Sequence, residues 1–186
     1  MGGWLFRRRT ALPLPLAAAL LAVTGRPALF SRVAGAGLVA VGELIRLWAV
    51  RHIGVISRTR SDRLGPIVST GPFAFVRNPL YIGNIALWTG FALSAAPPWM
   101  AALVGLILGA EYHAIVRWEE RLLESRRGAE YRAYAARVPR WIPRAPAATR
   151  SPERTLFSWS ETLFSERGTL LAIAAGYLLI WIKFKL

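Results

Sequence analysis

Residues 70–84 read TGPFAFVRNPLYIGN, a polar, turn-rich stretch that passes directly into a long apolar one. No Asp, Glu, Lys or Arg occurs in residues 78–110, a length that can cross a bilayer twice with Pro97-Pro98 at the bend. Asn78 suits the N-cap of the first of these helices, and Pro79 suits its first position. A helix start presents free N–H groups and a positive dipole end. The stretch therefore predicts a site for an anionic group at the membrane surface.

The composition is typical of a membrane protein. Hydrophobic residues make up 54% of the 186-residue chain, and the mean hydropathy is +0.37. The chain has no cysteine, which excludes disulfides, thiolate metal sites and a cysteine nucleophile. His52 and His113 are isolated in the sequence, so we expect no metal site.

The net charge of +14 comes almost entirely from arginine. A basic surface can bind nucleic acid, but cytoplasmic loops of membrane proteins also collect Arg and Lys. The arginines fall between apolar segments rather than along one face. We therefore expect no nucleic-acid partner, and we expect membrane lipids, anionic ones in particular, to be attracted to the chain.

Apolar segments predict an all-α fold, an integral membrane helical bundle of about five transmembrane helices. The segments are residues 10–24, 33–50, 79–96, 98–116 and 169–182. The first follows Arg7-Arg8-Arg9 and could be a secretory signal peptide. However, Pro13 and Pro15 interrupt it and no A-x-A cleavage site follows, so we expect a retained helix.

The second apolar segment contains Glu43 and Arg46, which the i, i+3 spacing places on one helix face. Charged side chains inside a membrane are costly and usually have a purpose. Two interpretations stay open, an ion pair buried in the bundle and a role in lining a site.

Short interfacial helices are expected on the cytoplasmic side. The helix that begins near Pro98 meets no breaker before Gly128 and should project from the membrane. An apolar stripe then predicts an amphipathic helix, and a second stripe predicts another after a linker at residues 144–153. The first stripe is Tyr131, Tyr134, Ala135 and Val138, and the second is Leu156, Trp159 and Leu163.

The chain is predicted to form a single membrane domain, residues 1–186. Its core would be residues 33–143, followed by an interfacial helix and a last apolar helix within 153–186. With the N-terminus in the cytoplasm, most arginines lie inside, as positive-inside topology requires. The polar segments of residues 51–78 and 117–167 then face the cytoplasm. The arginine-rich, lysine-poor composition indicates a GC-rich bacterial genome and hence a bacterial inner membrane.

Two polar elements converge on that face. One is the helix start behind Phe73, Arg77 and Asn78, and the other is the Arg117–Glu120 turn. Together they suit a ligand that carries a carboxylate and cationic groups. The simpler interpretation of Arg117, Glu120, Arg121 and Glu124 is an i, i+3/i+4 charge lattice on a solvated helix.

Residues 70–143 resemble the membrane methyltransferase family that includes isoprenylcysteine carboxyl methyltransferase and phospholipid N-methyltransferases. The first motif that carries the resemblance is Gly71-Pro72-Phe73-x-x-x-Arg77-Asn78-Pro79-x-Tyr81-x-Gly83. The second is Arg117-x-Glu119-Glu120-x-x-Leu123-x-x-x-x-Gly128-x-x-Tyr131-x-x-Tyr134-x-x-x-Val138-Pro139-x-Trp141-x-Pro143.

The resemblance implies an enzyme that uses S-adenosyl-L-methionine as methyl donor and a lipophilic or prenylated acceptor. Arg117 would orient the acceptor, and Arg77 would be the second catalytic residue. The cofactor would be held by Phe73, Asn78, Pro79, Leu80, Tyr81, Glu119 and Glu120. The carboxylate of the cofactor suits the helix start, and its sulfonium suits an aromatic face such as Tyr81.

The chain departs from the family pattern in two places. The usual Arg-His-Pro is Arg77-Asn78-Pro79 here, which weakens any proposal of a histidine base. The chain also continues well past Pro143, so the acceptor cannot be carried over. Two alternative functions remain: an NADPH-dependent reductase similar to membrane sterol reductases, and a non-catalytic membrane protein that binds anionic lipid. The oligomeric state is not predicted.

Overall fold

The computed structural model describes residues 13–54, 67–145 and 156–185, and over these residues it is helical with no β-strand. A short 3-10 helix, Gly71–Ala74, lies within the polar segment of residues 70–78, called the lip here. The described residues form six α-helices, which are α1 Pro13–Ala22, α2 Leu29–Ile53, α3 Pro79–Ala95, α4 Pro98–Arg127, α5 Ala129–Arg137 and α6 Trp159–Lys185. The all-α prediction is confirmed.

Proline and glycine set the helix boundaries. Pro13 and Pro15 lie in the first turn of α1, where a missing N–H breaks no intrahelical bond. Pro79 and Pro98 likewise begin α3 and α4, as the sequence predicts. The continuation of α4 beyond its apolar part is confirmed, and it ends at Gly128, whose φ of +49° favours glycine.

Glycines let α2 and α3 pack closely along their length. Gly35 and Gly42 of α2 face Gly90 and Gly83 of α3, and a Cβ atom on Gly90 would lie 2.6 Å from the Gly35 carbonyl oxygen. Small residues at such contacts allow backbones to approach, which is how helices associate where apolar burial drives little. This contact fixes where α3 begins relative to the end of α2, and so it positions the lip.

The ends of three helices meet at the end of the bundle opposite the lip. The Lys183 ammonium, near the end of α6, donates to the carbonyls of Leu20 at 2.8 Å and Ala95 at 2.7 Å. At the lip end, the Phe157 N–H donates to the Arg51 carbonyl at 3.0 Å. Successive long helices therefore run in alternating directions, and α4 brings its charged end back to the lip.

In the part of the chain that the structure describes, three helices are long and apolar enough to cross a membrane, namely α2, α4 and α6. Helix α3 has 17 residues and spans about 25 Å, and the described part of α1 has 10 residues. The structure thus supports an integral membrane bundle, and it leaves the count of about five spans as a prediction. Most of the predicted linker at residues 144–153 lies outside the described residues.

The C-terminal region differs from the sequence prediction of two separate helices. A single helix, α6, covers Trp159 and Leu163 of the second stripe together with the last apolar segment, and Leu156 precedes it. Nothing between them stops a helix, because one glycine such as Gly168 costs only about 1 kcal/mol in a helix interior. Trp159 and Leu163 are exposed on this helix.

A polar cluster inside the bundle attaches α6 to the core. The Arg46 guanidinium lies 2.6 Å from Glu166 and 3.5 Å from Glu43, and it also donates to Asn84 and, at 3.2 Å, to Thr169. The ion pair between Glu43 and Arg46 is therefore present. Arg46 has additional partners on α3 and α6, so this cluster connects three helices.

Candidate functional site

A non-helical segment after α5, residues 138–144, runs beside the lip and is called the strap here. The Arg77 N–H donates to the Pro139 carbonyl at 2.9 Å, and the Arg144 N–H donates to the Phe75 carbonyl at 3.0 Å. Pro139 and Pro143 disfavour helix, which accounts for the non-helical course of the strap. These bonds bring the end of the second sequence motif against the first.

The carboxylate of Glu120, a residue of α4, contacts one arginine of the lip and one of the strap. Arg77 Nη1 lies 3.0 Å from one of its oxygens. Arg140 binds it in a forked arrangement, with Nη2 at 2.6 Å from Oε2 and Nε at 3.0 and 3.1 Å from the two oxygens. Charge-assisted, bidentate pairs of this kind fix geometry as well as adding energy. The side chains of Glu120 and Arg77 are 13% and 14% exposed, so water screens this pair weakly.

Two tyrosines of α5 close the lip side of the site. Tyr131 accepts a hydrogen bond from Arg77 Nη1 at 3.3 Å, and the Tyr134 hydroxyl donates to the Phe73 carbonyl at 2.9 Å. Burial, and then the charge of Glu120, raise the pKa of Tyr131 to about 12. Tyr131 therefore stays protonated at neutral pH. The predicted apolar stripe of α5 is confirmed as the buried face of that helix. Its side chains pack against Ile67 and Leu123.

A cavity of about 250 Å³ opens between α4, α5, the lip and the strap. Its wall contains five arginines and only two glutamates, so it favours an anionic group. The lining residues are Arg77, Arg117, Glu120, Arg121, Glu124, Tyr131, Arg132, Ala135 and Arg140.

Glu119 faces a different direction from Glu120, because neighbouring helical residues diverge by about 100°. Its Oε2 accepts a hydrogen bond from the Tyr81 hydroxyl at 3.0 Å. The Tyr81 ring packs on Tyr112 with ring centroids 4.8 Å apart. A carboxylate beside aromatic faces suits a cationic group. The site thus has an arginine-rich side and, around Glu119, an acidic and aromatic side.

The structure brings the two predicted catalytic arginines and Glu120 together at the cavity. Asn78, Tyr81 and Glu119 lie beside it without lining it. The side chains of Phe73, Pro79 and Leu80 instead contribute to packing around the start of α3, where Phe73 and Pro79 are buried. The assignment of all these residues as ligands of a cofactor stays a prediction.

The structure corrects two details, the capping role expected of the Asn78 side chain and the alternative interpretation of Glu120 as part of a charge lattice. Asn78 occupies the N-cap position of α3, but its side chain makes no cap hydrogen bond and donates from Nδ2 to the Arg140 carbonyl at 3.1 Å. Glu120 pairs with Arg77 and Arg140, not with its neighbours in a helical charge lattice. In both cases a partner from the strap replaces the local one.

Sequence reasoning missed Arg140 as a site residue, and it did not recognise Arg132 or Ala135 as cavity residues. Arg140 occupies an unassigned position between Pro139 and Trp141 of the second motif. The prolines around it predict only that the preceding helix ends there. Nothing local indicates that this segment lies against the lip.

Comparison with known proteins agrees with the motifs. The family model described as phospholipid methyltransferase matches residues 30–129, which is more than half of the chain. The nickel-cobalt-cadmium resistance protein NccN of Alcaligenes xylosoxydans xylosoxydans is 34% identical over 106 residues, 57% of this chain and 46% of the relative. The cobalt-zinc-cadmium resistance protein CzcN of Cupriavidus metallidurans is 30% identical over 110 residues, 59% of this chain and 46% of the relative.

These matches cover less than half the length of either resistance protein. No solved structure matches the chain. The family match includes the lip, α3 and α4 up to the start of α5, and therefore both the first motif and the paired glutamates. By this match the chain belongs to the phospholipid methyltransferase family.

Proposed function

We propose that this protein transfers a methyl group from S-adenosylmethionine to a lipophilic acceptor, either a lipid or an isoprenylcysteine-like carboxylate, at the cytoplasmic membrane face. The observation that carries the proposal is the meeting of the two motifs around Glu120, at the end of an apolar bundle. A polar cofactor and a lipid acceptor need this combination of an aqueous cavity and an adjoining membrane.

The chemistry of the side chains fits the cofactor. S-adenosylmethionine carries a carboxylate and two cationic groups, an ammonium and a sulfonium. We assign the carboxylate to the arginine-rich cavity, and the cationic groups to Glu119 and the Tyr81 ring. The cavity of about 250 Å³ is smaller than the roughly 300–1,000 Å³ typical of small-molecule sites, so it accommodates only part of the cofactor.

The residues have separate tasks in this proposal. The sulfonium of the cofactor supplies an activated methyl group, so the protein mainly has to align the reactants and exclude water. Arg117 is exposed at the cavity and would orient the acceptor, while Arg77 is held on Glu120 and would bind the anionic group. Tyr131 is unsuited to act as a base at neutral pH because its pKa is about 12. A carboxylate acceptor would need no base.

We further propose that α1, α2, α3, α4 and α6 all cross a bacterial inner membrane, with the N-terminus and the site in the cytoplasm. The concentration of arginine on α4, α5 and the strap supports this orientation. The same arginines would attract anionic lipid headgroups. We propose no nucleic-acid partner.

The names of the resistance proteins raise a metal-related function as a second candidate. Within residues 13–54, 67–145 and 156–185, no group of three or more His, Cys, Asp or Glu side chains could hold a metal ion. No specific observation on these residues favours that candidate over methyl transfer. Divalent metal is therefore included as a variable in the binding experiment.

Calorimetry on the detergent-purified protein should detect binding of S-adenosylmethionine at micromolar levels, with no change when Ni²⁺ or Co²⁺ is added or chelated. The expected companion result is transfer of radiolabelled methyl groups into a total lipid extract. NADPH serves as the control ligand. Binding of NADPH in place of S-adenosylmethionine would assign the protein to the reductase class instead.

Glu119→Gln should weaken cofactor binding by about 10- to 150-fold, because a lost hydrogen bond to a charged ligand group costs about 1.5–3 kcal/mol. Glu130→Gln is the matched control, since Glu130 is exposed and pairs only loosely with Arg127 at 3.8 Å. Calorimetry measures affinity, and thermal melting shows whether each variant folds. Equal affinities for Glu119→Gln and Glu130→Gln would remove Glu119 from the site.

Orientation can be tested by cysteine labelling, because the native chain has no cysteine. Thr24→Cys and Ser125→Cys are exposed at opposite ends of the bundle. We expect a membrane-impermeant maleimide to label Ser125→Cys only in inverted vesicles and Thr24→Cys only in intact cells. Ser94→Cys is a control that should resist labelling, because Ser94 is 2% exposed. Labelling of the first two variants from one side would contradict the topology.

A further inference from the structure

Arg140 lies outside the residues matched by the family model, and neither sequence motif assigns it a role. It is nevertheless a strap residue that contacts both motifs. Its side chain reaches α4, and its backbone reaches the start of α3. The two sets of contacts can be separated experimentally, because a side-chain substitution leaves the backbone carbonyl in place.

The side chain of Arg140 fixes the direction of the Glu120 carboxylate. Nε and Nη2 together span both carboxylate oxygens at 2.6 to 3.1 Å. The Oε1 atom of the same carboxylate also binds Arg77 Nη1 at 3.0 Å. A carboxylate held in a fork cannot rotate freely, so Arg140 determines where Arg77 is held.

The backbone around Arg140 fixes the lip. Its carbonyl accepts the Asn78 side-chain amide at 3.1 Å, and the preceding carbonyl, of Pro139, accepts the Arg77 N–H at 2.9 Å. The forked pair with Glu120 therefore also holds the strap against Arg77 and Asn78, which are the residues of the first motif nearest the cavity.

We infer that Arg140 is a positioning residue of the site, which acts by turning Glu120 onto Arg77 and keeping the strap closed over the lip. This inference rests on the proposed function, because its consequence is measured as cofactor affinity. An ordinary ion pair with 35% exposure on the arginine would tolerate lysine. A forked pair would not, since an ammonium cannot span two oxygens in a fixed plane.

The experiment is a double-mutant cycle in cofactor binding. Calorimetry with S-adenosylmethionine compares the parent with Arg140→Ala, Arg140→Lys, Glu120→Gln and the double variant Arg140→Ala/Glu120→Gln. Arg144→Ala is the matched control, because it removes an exposed arginine from the same strap. Thermal melting in detergent checks folding, and Arg140→Lys keeps the charge if the alanine variant fails to fold.

We expect Arg140→Ala to weaken binding by about 10- to 100-fold, by analogy with the range typical of residues that orient a metal-binding side chain. Arg140→Lys should restore only part of this loss, and Arg144→Ala should bind like the parent. Because Arg140 acts through Glu120, the double variant should bind no more weakly than Glu120→Gln alone.

Three outcomes would overturn the inference alone: parental affinity in Arg140→Ala, full rescue by lysine, or additive losses in the double variant. Failure of the parent itself to bind S-adenosylmethionine would instead overturn the proposed function, and the positioning role with it. The parent titration therefore distinguishes the two failures.

Discussion

Replacing Arg46 by methionine should destabilise the protein by about 3–5 kcal/mol, the usual consequence of removing one partner from a buried ion pair. The variant would leave the buried carboxylates of Glu43 and Glu166 without the Arg46 guanidinium. Their side chains are 8% and 2% exposed. For a chain of this size the loss corresponds to a fall in melting temperature of roughly 6–20 °C.

The effect should be large because little of α6 is buried against the rest of the protein. Only 6% of the most apolar stretch of this helix is buried within the protein. Arg46 supplies its polar contacts near the lip end, to Glu166 and Thr169. Melting in detergent, followed by size-exclusion chromatography, measures the loss.

Two further variants make this test specific. Arg127→Met breaks an exposed pair at 3.8 Å and should shift stability by only about 0–1 kcal/mol. Combining Arg46→Met with Glu43→Gln and Glu166→Gln also removes the two buried carboxylate charges and should recover part of the loss. If Arg46→Met melts like Arg127→Met, the cluster does not anchor α6.

The helix boundaries were predictable because their causes are local. Pro79 and Pro98 begin helices wherever they follow a turn, and Gly128 ends α4 with a φ that glycine adopts readily. The wrong prediction of two helices in place of α6 has a cause that is not local. Glu166 and its polar neighbours separate the second stripe from the last apolar segment in the sequence. The partner that buries Glu166 in the bundle, Arg46, lies 120 residues earlier. Sequence alone does not distinguish a buried charged residue from an exposed one when the partner is distant in the chain.

The sequence predicted which residues form the site better than it predicted how they are arranged. The motifs identify Arg77, Arg117 and Glu120, which do meet at the cavity. They do not reveal that Asn78 turns away from its own helix to a carbonyl 62 residues further along the chain. Such a contact depends on where the strap lies, and short-range patterns carry no information about that position.

Gly90→Ala should destabilise the protein although it adds a single methyl group. The new Cβ atom would lie 2.6 Å from the Gly35 carbonyl oxygen and 2.9 Å from the Val39 backbone nitrogen. Backbone atoms cannot rotate away as a side chain can, so α2 and α3 must separate. Overpacking of this kind typically costs about 1–3 kcal/mol. The separation would also shift the lip, because α3 begins directly after it.

Gly37→Ala is the matched control on the same pair of helices, and it should act in the opposite direction. A Cβ atom at Gly37 meets nothing within 4 Å, so only the intrinsic helix preference changes. Alanine is favoured over glycine in a helix interior by about 0.5–1 kcal/mol, which should raise the melting temperature in detergent. A general intolerance of α2 and α3 to added volume would instead lower the melting temperature of both variants. Opposite shifts from two single methyl groups are the result expected if the close approach at Gly35 and Gly90 is present in the folded protein.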